Sequence, residues 1–366
     1  MSECSLFCQL GGEKQKVNAR YVGVDIGKKK CNVAIMDQQG LIADEFSFTN
    51  NHEGIESFSS KLSMDDRVVM ESTGSVWTNL YNHLDSKHIP VILANPLKTK
   101  AIAWARIKSD EVDARILAHL LRTDLIAESY VPPQELREIR ALIRHRLSIV
   151  KIRTMVKNKV HALIDKNGIE TELENLFTKK GMEWLESLQF QSSLDRLMLD
   201  NYLEHMESLQ HQIKTVDQEI LGKASQDEDV KLLLSLTGVS IYTALLLKSE
   251  IGDIKRFPNY KKLVSWAGLA PSMHQSGSVE YYGSITKQGS KMIRWIMVES
   301  ARTAVNHDER LSAFYERIKH RRGDQKAIVA TASKMLKIIW TMLSRREPYE
   351  SRNEKSYERK LNSIDE

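Results

Sequence analysis

The chain has 366 residues, 42% of them hydrophobic and 28% charged, with 53 Lys and Arg against 48 Asp and Glu for a formal charge of +5. Such a length carries about two or three domains, and such a composition excludes a disordered or fibrous chain. The most apolar stretch, residues 232–247, is interrupted by Ser235, Thr237, Ser240 and Thr243, short of the ~18 apolar residues a membrane span needs. The first residues lack the apolar core of a secretory signal, and Cys4, Cys8 and Cys31 offer neither a disulfide framework nor a C-x-x-C pair. The expectation is therefore a cytoplasmic protein with no membrane partner. A surplus of +5 says little about partners; its distribution along the chain says more.

Residues 1–19 read as a flexible polar tail. Segments 20–26, 31–37 and 41–49 are short β-branched and apolar runs separated by tight turns, which predicts an antiparallel meander. An amphipathic piece at 54–62 follows, then a strand at 67–71, a helix at 76–84, a strand at 90–94 and a helix at 109–121. This βββαβαβα order predicts, over residues 20–130, a mixed sheet covered by helices, as in the ribonuclease H-like fold. The actin and sugar-kinase ATPase fold opens with the same meander and a similar D-x-G and is the runner-up, although no G-x-x-x-x-G-K-[ST] loop is present.

Val131-Pro132-Pro133 reads as a boundary, because two prolines cannot continue a helix. Residues 131–224 form a helical region. Leu199, Tyr202, Met206, Leu209, Ile213, Val216 and Ile220 follow the alternating three–four spacing of a coiled-coil seam. An earlier helix over 136–165 carries Ile139, Leu142, Ile149, Val156, Val160 and Leu163 at compatible intervals. The two predict an antiparallel hairpin or a dimerisation arm, with an ordinary helical bundle as the alternative. Residues 230–345 read as a mainly α-helical C-terminal domain interrupted by a Gly- and Ser-rich insert at 276–289; residues 346–366 form a charged tail expected to fray.

Four carboxylates in the first domain form a candidate site. Asp25 ends the first strand and shares a face with Tyr21 and Gly23; Glu71 ends the fourth strand; Asp110 and Asp113 are three apart, on one face of a helix. Like charges gathered this closely repel. A hard divalent cation, Mg²⁺ or Mn²⁺, removes the conflict, and two such ions clamp a scissile phosphate for in-line displacement. Taken singly, each acid has a plainer reading as a turn former, a helix-terminal residue or a solvated side chain.

In the C-terminal domain the run AGLAPSMHQSGSVEYYGSITKQGSKMIRW carries Gly277, Gly283 and Gly289 and opens a helix near Ser290. Lys287, Lys291 and Arg294 are placed to neutralise a phosphate, and helix N-termini favour anions. Ser276 precedes Gly277, but Ser272, Ser278, Ser284 and Ser290 are equal candidates on pattern alone, with His274 the nearest base; a plain polar hairpin is the simpler reading. Residues 136–161 hold Arg137, Arg140, Arg144, Arg146, Lys151, Arg153, Lys157 and Lys159 against Glu138 alone, a local +7. Residues 316–337 carry a local +5. Such stripes give sequence-tolerant binding to phosphate backbones, and the first lacks the interleaved acids of a solvated helix face.

The motifs YVGVDIGKKKCNVAIMD, VVMESTGSVW, ILANPLKTKAIA, KSDEVDARILAHLL, LTGVSIYTALLLKSEIGDIKRF, LVSWAGLAPSMHQSGS and GSITKQGSKMIRWIMVESA span roughly residues 20–340. In order and spacing the chain resembles the DEDD transposases of bacterial insertion sequences, the bridge-RNA-guided recombinases related to Piv-type DNA invertases. The resemblance implies a RuvC-like first domain with Asp25, Glu71, Asp110 and Asp113 as metal ligands, and a coiled coil used for assembly into a dimer or tetramer. It further implies a nucleophilic serine at Ser276, forming a phosphoserine–DNA link. Members often have a second serine just before this one, where this chain has Gln275. Implied partners are DNA, as element ends and target, and a structured guide RNA. The rival readings are a RuvC-type hydrolytic nuclease or Holliday-junction resolvase, and a non-catalytic nucleic-acid-binding protein.

Overall fold

In the computed structural model, which describes residues 19–71, 74–102, 110–276, 279–350 and 352–365, the chain divides into two units, Met1–Val131 and Pro132–Glu366. The first is built on five strands: β1 (Tyr21–Ile26), β2 (Lys30–Met36), β3 (Ile42–Thr49), β4 (Arg67–Glu71) and β5 (Val91–Ala94). They lie in the order β3-β2-β1-β4-β5. The meander β1–β2–β3 is antiparallel, whereas β4 and β5 add in parallel on the other side of β1. Parallel neighbours need crossovers, which α1 (His52–Ser59) and α2 (Trp77–Ser86) provide. Two further helices follow β5, α3 (Pro96–Ile102), which the sequence pattern did not predict, and α4 (Asp110–Arg122).

Strand alternation sorts the sheet into two faces. Val22, Val24, Val68 and Met70 pack with Ile55 and Phe58 of α1 and Leu80 and Leu84 of α2. The opposite residues, with Val69 and Ala94 among them, pack under Leu117 and Leu121 of α4, each such leucine stabilising by about 1.5–3 kcal/mol. Gly23 sits under that helix: a Cβ there would lie 2.0 Å from the Ala114 carbonyl oxygen and 2.5 Å from the Ala118 nitrogen. The helix therefore rides directly on strand backbone.

The second unit opens with a pair of 33-residue helices, α5 (Gln134–Lys166) and α7 (Ser193–Ser225), bridged by α6 (Lys179–Ser187). Ion pairs Lys166–Asp195 at one end and Arg146–Asp217 towards the other fix them as antiparallel. Leu199, Met206, Leu209, Ile213, Val216 and Ile220 are all buried, as their spacing predicts. The core continues from this pair into α8 (Glu228–Leu234), α9 (Ile241–Ile251) and α10 (Tyr260–Trp266), and beyond the hairpin β6 (Pro271–Ser276) and β7 (Val279–Ile285) into α11 (Lys291–His307), α12 (Glu309–Arg322) and α13 (Asp324–Arg345). By length and composition α13 could cross a membrane, but half of its apolar window is buried here.

The charged C-terminal segment departs from its expected fraying. It forms α14 (Glu354–Asp365). Tyr349 and Ile364 are buried and Lys360 Nζ donates to the carbonyls of Leu234 and Val239 at 3.0 and 2.8 Å. A few apolar anchors and one buried ammonium suffice to dock it.

Replacing Gly23 with Ala is expected to destabilise the first unit by about 2–4 kcal/mol, because the added methyl must push helix backbone aside. Thermal unfolding of the full chain, monitored by circular dichroism, measures it; an unchanged melting temperature would show that α4 yields freely.

Candidate functional site

The four carboxylates approach one another through backbone placement. Residues Val24 and Met70 are register partners on adjacent parallel strands, so one step further along the chain sets Asp25 beside Glu71. Both share the face of Gly23 and Val69, the one that α4 covers. The helix runs antiparallel to β1, since Gly23 lies at the level of Ala114 and Ala118 while His119 Nδ1 stands 3.5 Å from Sδ of Met36, the register partner of Tyr21. Asp25 is about 6.6 Å beyond Gly23 along the strand. Position 110 is about 6 Å before Ala114 along the helix.

The buried stripe Ala114, Leu117, Ala118 and Leu121 therefore leads, in the helical rhythm, back to positions 113 and 110 at the end of β1 and β4. Asp25, Glu71 and Asp113 are each half-buried; the side chain of Asp110 lies outside the described residues. Burial, with the negative charge of Asp25 as a lesser contribution, pushes the thiol of Cys31 up to about 11, so that thiol stays protonated and unreactive.

Oxygen donors alone suit Mg²⁺ or Mn²⁺ and disfavour softer metals. Among the described residues no three His, Cys, Asp or Glu side chains are grouped to hold a metal ion. Asp25, Glu71 and Asp113 nevertheless fit such a cation in donor type and in the backbone convergence that aims them at one end of the sheet.

In the second unit, Ser276 is the last residue of β6 and registers with Val279 of β7; its side chain lies outside the described residues. What the structure defines is the root of this hairpin. Gly268, at φ +70°, and Gly289, at φ +75°, let two turns touch: a Cβ on the first would lie 2.0 Å from the Gln288 carbonyl oxygen, and one on the second 1.9 Å from that of Trp266. Arg294 Nη1 donates to the carbonyls of Ala267, Gln288 and Gly289 at 3.2, 2.7 and 3.2 Å. Its guanidinium thus clamps the root. Lys287, with φ at 56°, and Lys291 are exposed beside it. Sequence reading missed the clamp, although the paired A-G-L-A-P and K-Q-G-S turns were visible as glycine-bearing motifs.

The basic stripe on α5 is partly neutralised by acids from other helices. Arg144 donates to Glu250 Oε1 at 2.8 Å, and that carboxylate is only 4% exposed. Arg146 forms a two-pronged pair with Asp217, which raises its pKa and spans α5 to α7. Arg153 donates to Gln210 at 2.5 Å. Lys157 lies 4.4 Å over the Phe177 ring with its pKa lowered by burial, and Lys159 lies 5.8 Å over Tyr202. Lys151 and Lys159 remain exposed, and Arg144 keeps half of its side chain in solvent.

Two family models match the chain. One, described as a transposase of the DEDD, IS110 type, covers residues 22–167; the other, described as the transposase IS116/IS110/IS902 family, covers residues 230–316. A transposase for insertion sequence element IS1111A of Coxiella burnetii is 27% identical over 341 residues, covering 90% of this chain and 91% of the relative. A transposase for insertion sequence element IS1328 of Yersinia enterocolitica is 24% identical, covering 89% of this chain and 97% of its own. A pilin gene-inverting protein of Moraxella bovis is 26% identical, covering 91% and 98%.

Substituting Arg294 with Lys removes the fork that reaches three carbonyls. Amide hydrogen exchange across β6 and β7 is expected to accelerate by about tenfold, whereas Lys291→Ala leaves it unchanged. Equal exchange in both variants would mean that the clamp does not hold the hairpin.

Proposed function

Because the chain belongs to the DEDD transposase family of the IS110 type, we propose that it recombines DNA by metal-dependent strand cleavage and exchange through a phosphoserine–DNA link, guided by a structured RNA. The coarse function, a transposase-type DNA recombinase of insertion sequences, follows from the family. The finer reading rests on one observation: Asp25 and Glu71 stand at matched register on one sheet face, under the helix that begins with Asp110 and Asp113.

The carboxylates of Asp25, Glu71, Asp110 and Asp113 would hold Mg²⁺ or Mn²⁺, which supplies neutralisation of charge at the scissile phosphate. Ser276 supplies the nucleophile. Its Oγ bonds to phosphorus as the bond from phosphorus to a deoxyribose oxygen breaks, and the serine proton passes, through solvent, to that leaving oxygen. The phosphoserine ester conserves the phosphoryl bond. A strand hydroxyl then attacks it, restoring the serine and a new phosphodiester. One ester is exchanged for another at each step, so the exchange needs no nucleotide hydrolysis.

The cations left exposed on α5, with Lys287 and Lys291 beside the hairpin, suit phosphate backbones and give register without sequence. Base pairing to a guide RNA supplies the sequence choice that these charges lack, as in other guided systems. Ile152 and Met155 of α5 and Leu194 and Leu197 of α7 are 38, 53, 67 and 56% exposed; these apolar pairs on the long helices favour assembly into a dimer or tetramer.

Incubating protein, element DNA, candidate RNA and Mg²⁺ should yield a protein–DNA adduct that survives denaturation. Ser276→Ala should abolish it, a loss of about 10⁴-fold or more, and Asp25→Asn, Glu71→Gln or a chelator should abolish cleavage while DNA binding persists. Cleavage that continues in Ser276→Ala with no adduct would sink the serine pathway in favour of a RuvC-type hydrolytic nuclease.

A further inference from the structure

Between Leu234, the last residue of α8, and Ile241, the first of α9, the chain turns through Ser-Leu-Thr-Gly-Val-Ser. Leu236 and Val239 are buried, and the Val239 N–H donates to the Leu236 carbonyl at 3.1 Å, closing the turn. Gly238 has φ +83°, and a Cβ on it would lie 2.3 Å from the Ser300 carbonyl oxygen, so α11 backs the turn directly. Lys360 Nζ occupies the carbonyls of Leu234 and Val239. With those acceptors engaged, the turn is biased towards presenting donors. Ser240 caps α9 by accepting from the Thr243 N–H at 3.2 Å. The N–H groups of Ile241 and Tyr242, in the first turn, have no acceptor within the helix.

A cavity of about 720 Å³ opens over this turn, walled by Thr237, Gly238, Ser240 and Ser300. Ser300 is 3% exposed, and its Oγ has no hydrogen-bond partner. A buried hydroxyl left unpaired costs about 1–3 kcal/mol, so the cavity lacks an oxygen-rich occupant. Lys355 and Arg359, both exposed, stand on the same wall, with Glu299 the carboxylate among them. Donors at a helix N-terminus, a waiting hydroxyl and two free-standing cations suit a phosphate. The volume is many times that of a phosphate ion and accommodates a sugar–phosphate segment.

We propose that the α8–α9 turn is a second nucleic-acid contact, a hairpin that grips one backbone phosphate through Thr237–Ser240 main-chain donors, the Ser300 hydroxyl, Lys355 and Arg359. The proposal rests on the DNA-recombinase reading but uses none of the residues assigned to strand exchange. It makes the C-terminal helix α14 part of the binding surface, which its composition alone does not suggest.

The test uses the full chain carrying Ser276→Ala, so that binding is read without cleavage, on duplex DNA of unrelated sequence across a salt series. The double substitution Lys355→Ala with Arg359→Ala should flatten the slope of log affinity against log salt by about one to two, since each phosphate contact contributes about 0.9. Ser300→Ala should weaken binding by about tenfold, and Glu299→Gln should tighten it. Thermal melting confirms that each variant folds. Unchanged affinity and slope in the double and Ser300 variants would overturn the proposal, leaving the turn a packing device. So would a Ser300-dependent rise in melting temperature with inorganic phosphate alone, which would mark a free-anion site. Failure of the wild type to form a DNA adduct bears on strand exchange and leaves these slopes interpretable.

Discussion

Everything in the first unit depends on how closely α4 approaches β1. A helix normally packs on a sheet at about 10 Å, with side chains filling the gap; at Gly23 there is no side chain, and helix backbone sits on strand backbone. This depth fixes more than packing. The strand carries Asp25 two residues further on, and the helix carries Asp113 and Asp110 at the end that overhangs it. Lifting the helix by one methyl would withdraw two acids from the other two. The apolar stripe of Ala114, Leu117, Ala118 and Leu121 then holds the helix down. The stability of that stripe offsets the repulsion that gathers the carboxylates without a cation.

The second unit solves a related problem with different parts. A hairpin that presents a reactive residue near its tip must be firm at its base, because a loose base spreads the tip over many positions and dilutes any productive one. Gly268 and Gly289 allow two turns to interlock, and Arg294 ties their carbonyls together. Arginine serves here as a structural fork, which is why a cation in a phosphate-handling motif need not touch phosphate. The same economy marks Lys360, whose ammonium is spent on two main-chain carbonyls.

What could be read from the sequence was whatever local periodicity encodes. Strand alternation in residues 21–26 and 67–71 assigned Asp25 and Glu71 to their face, and the three–four rhythm of residues 199–220 assigned the buried seam of α7. What could not be read were pairings over long separations. Arg146 meets Asp217 71 residues away and Arg144 meets Glu250 106 residues away, so a helix that looked uniformly basic is partly balanced by acids that no local count includes. The tail at 346–366 looked too charged to fold because its anchors, Tyr349 and Ile364, are few and their partners lie in distant segments. Gly23 was visible only as a small residue in a strand; the helix that demands it comes some ninety residues later. The roles of Asp110 and Ser276 came from resemblance to a family and not from pattern.

The surplus of +5 acquires meaning from this division of labour. Cations paired to carboxylates within the fold, such as Arg144 and Arg146, contribute shape; those in solvent, such as Lys151, Lys159 and Lys291, are available to phosphate. Binding through the second group releases counterions and weakens as salt rises. A divalent cation acts on both sides of this balance. It fills the carboxylate site that repels itself when empty, and it competes for the phosphates that the exposed lysines seek. A recombinase built this way works within a window of divalent concentration, bounded below by carboxylate repulsion and above by loss of the DNA backbone. The modest net charge of the chain is what such a window requires. A much more basic protein would hold DNA whatever the salt, and strands that must part and rejoin could not exchange.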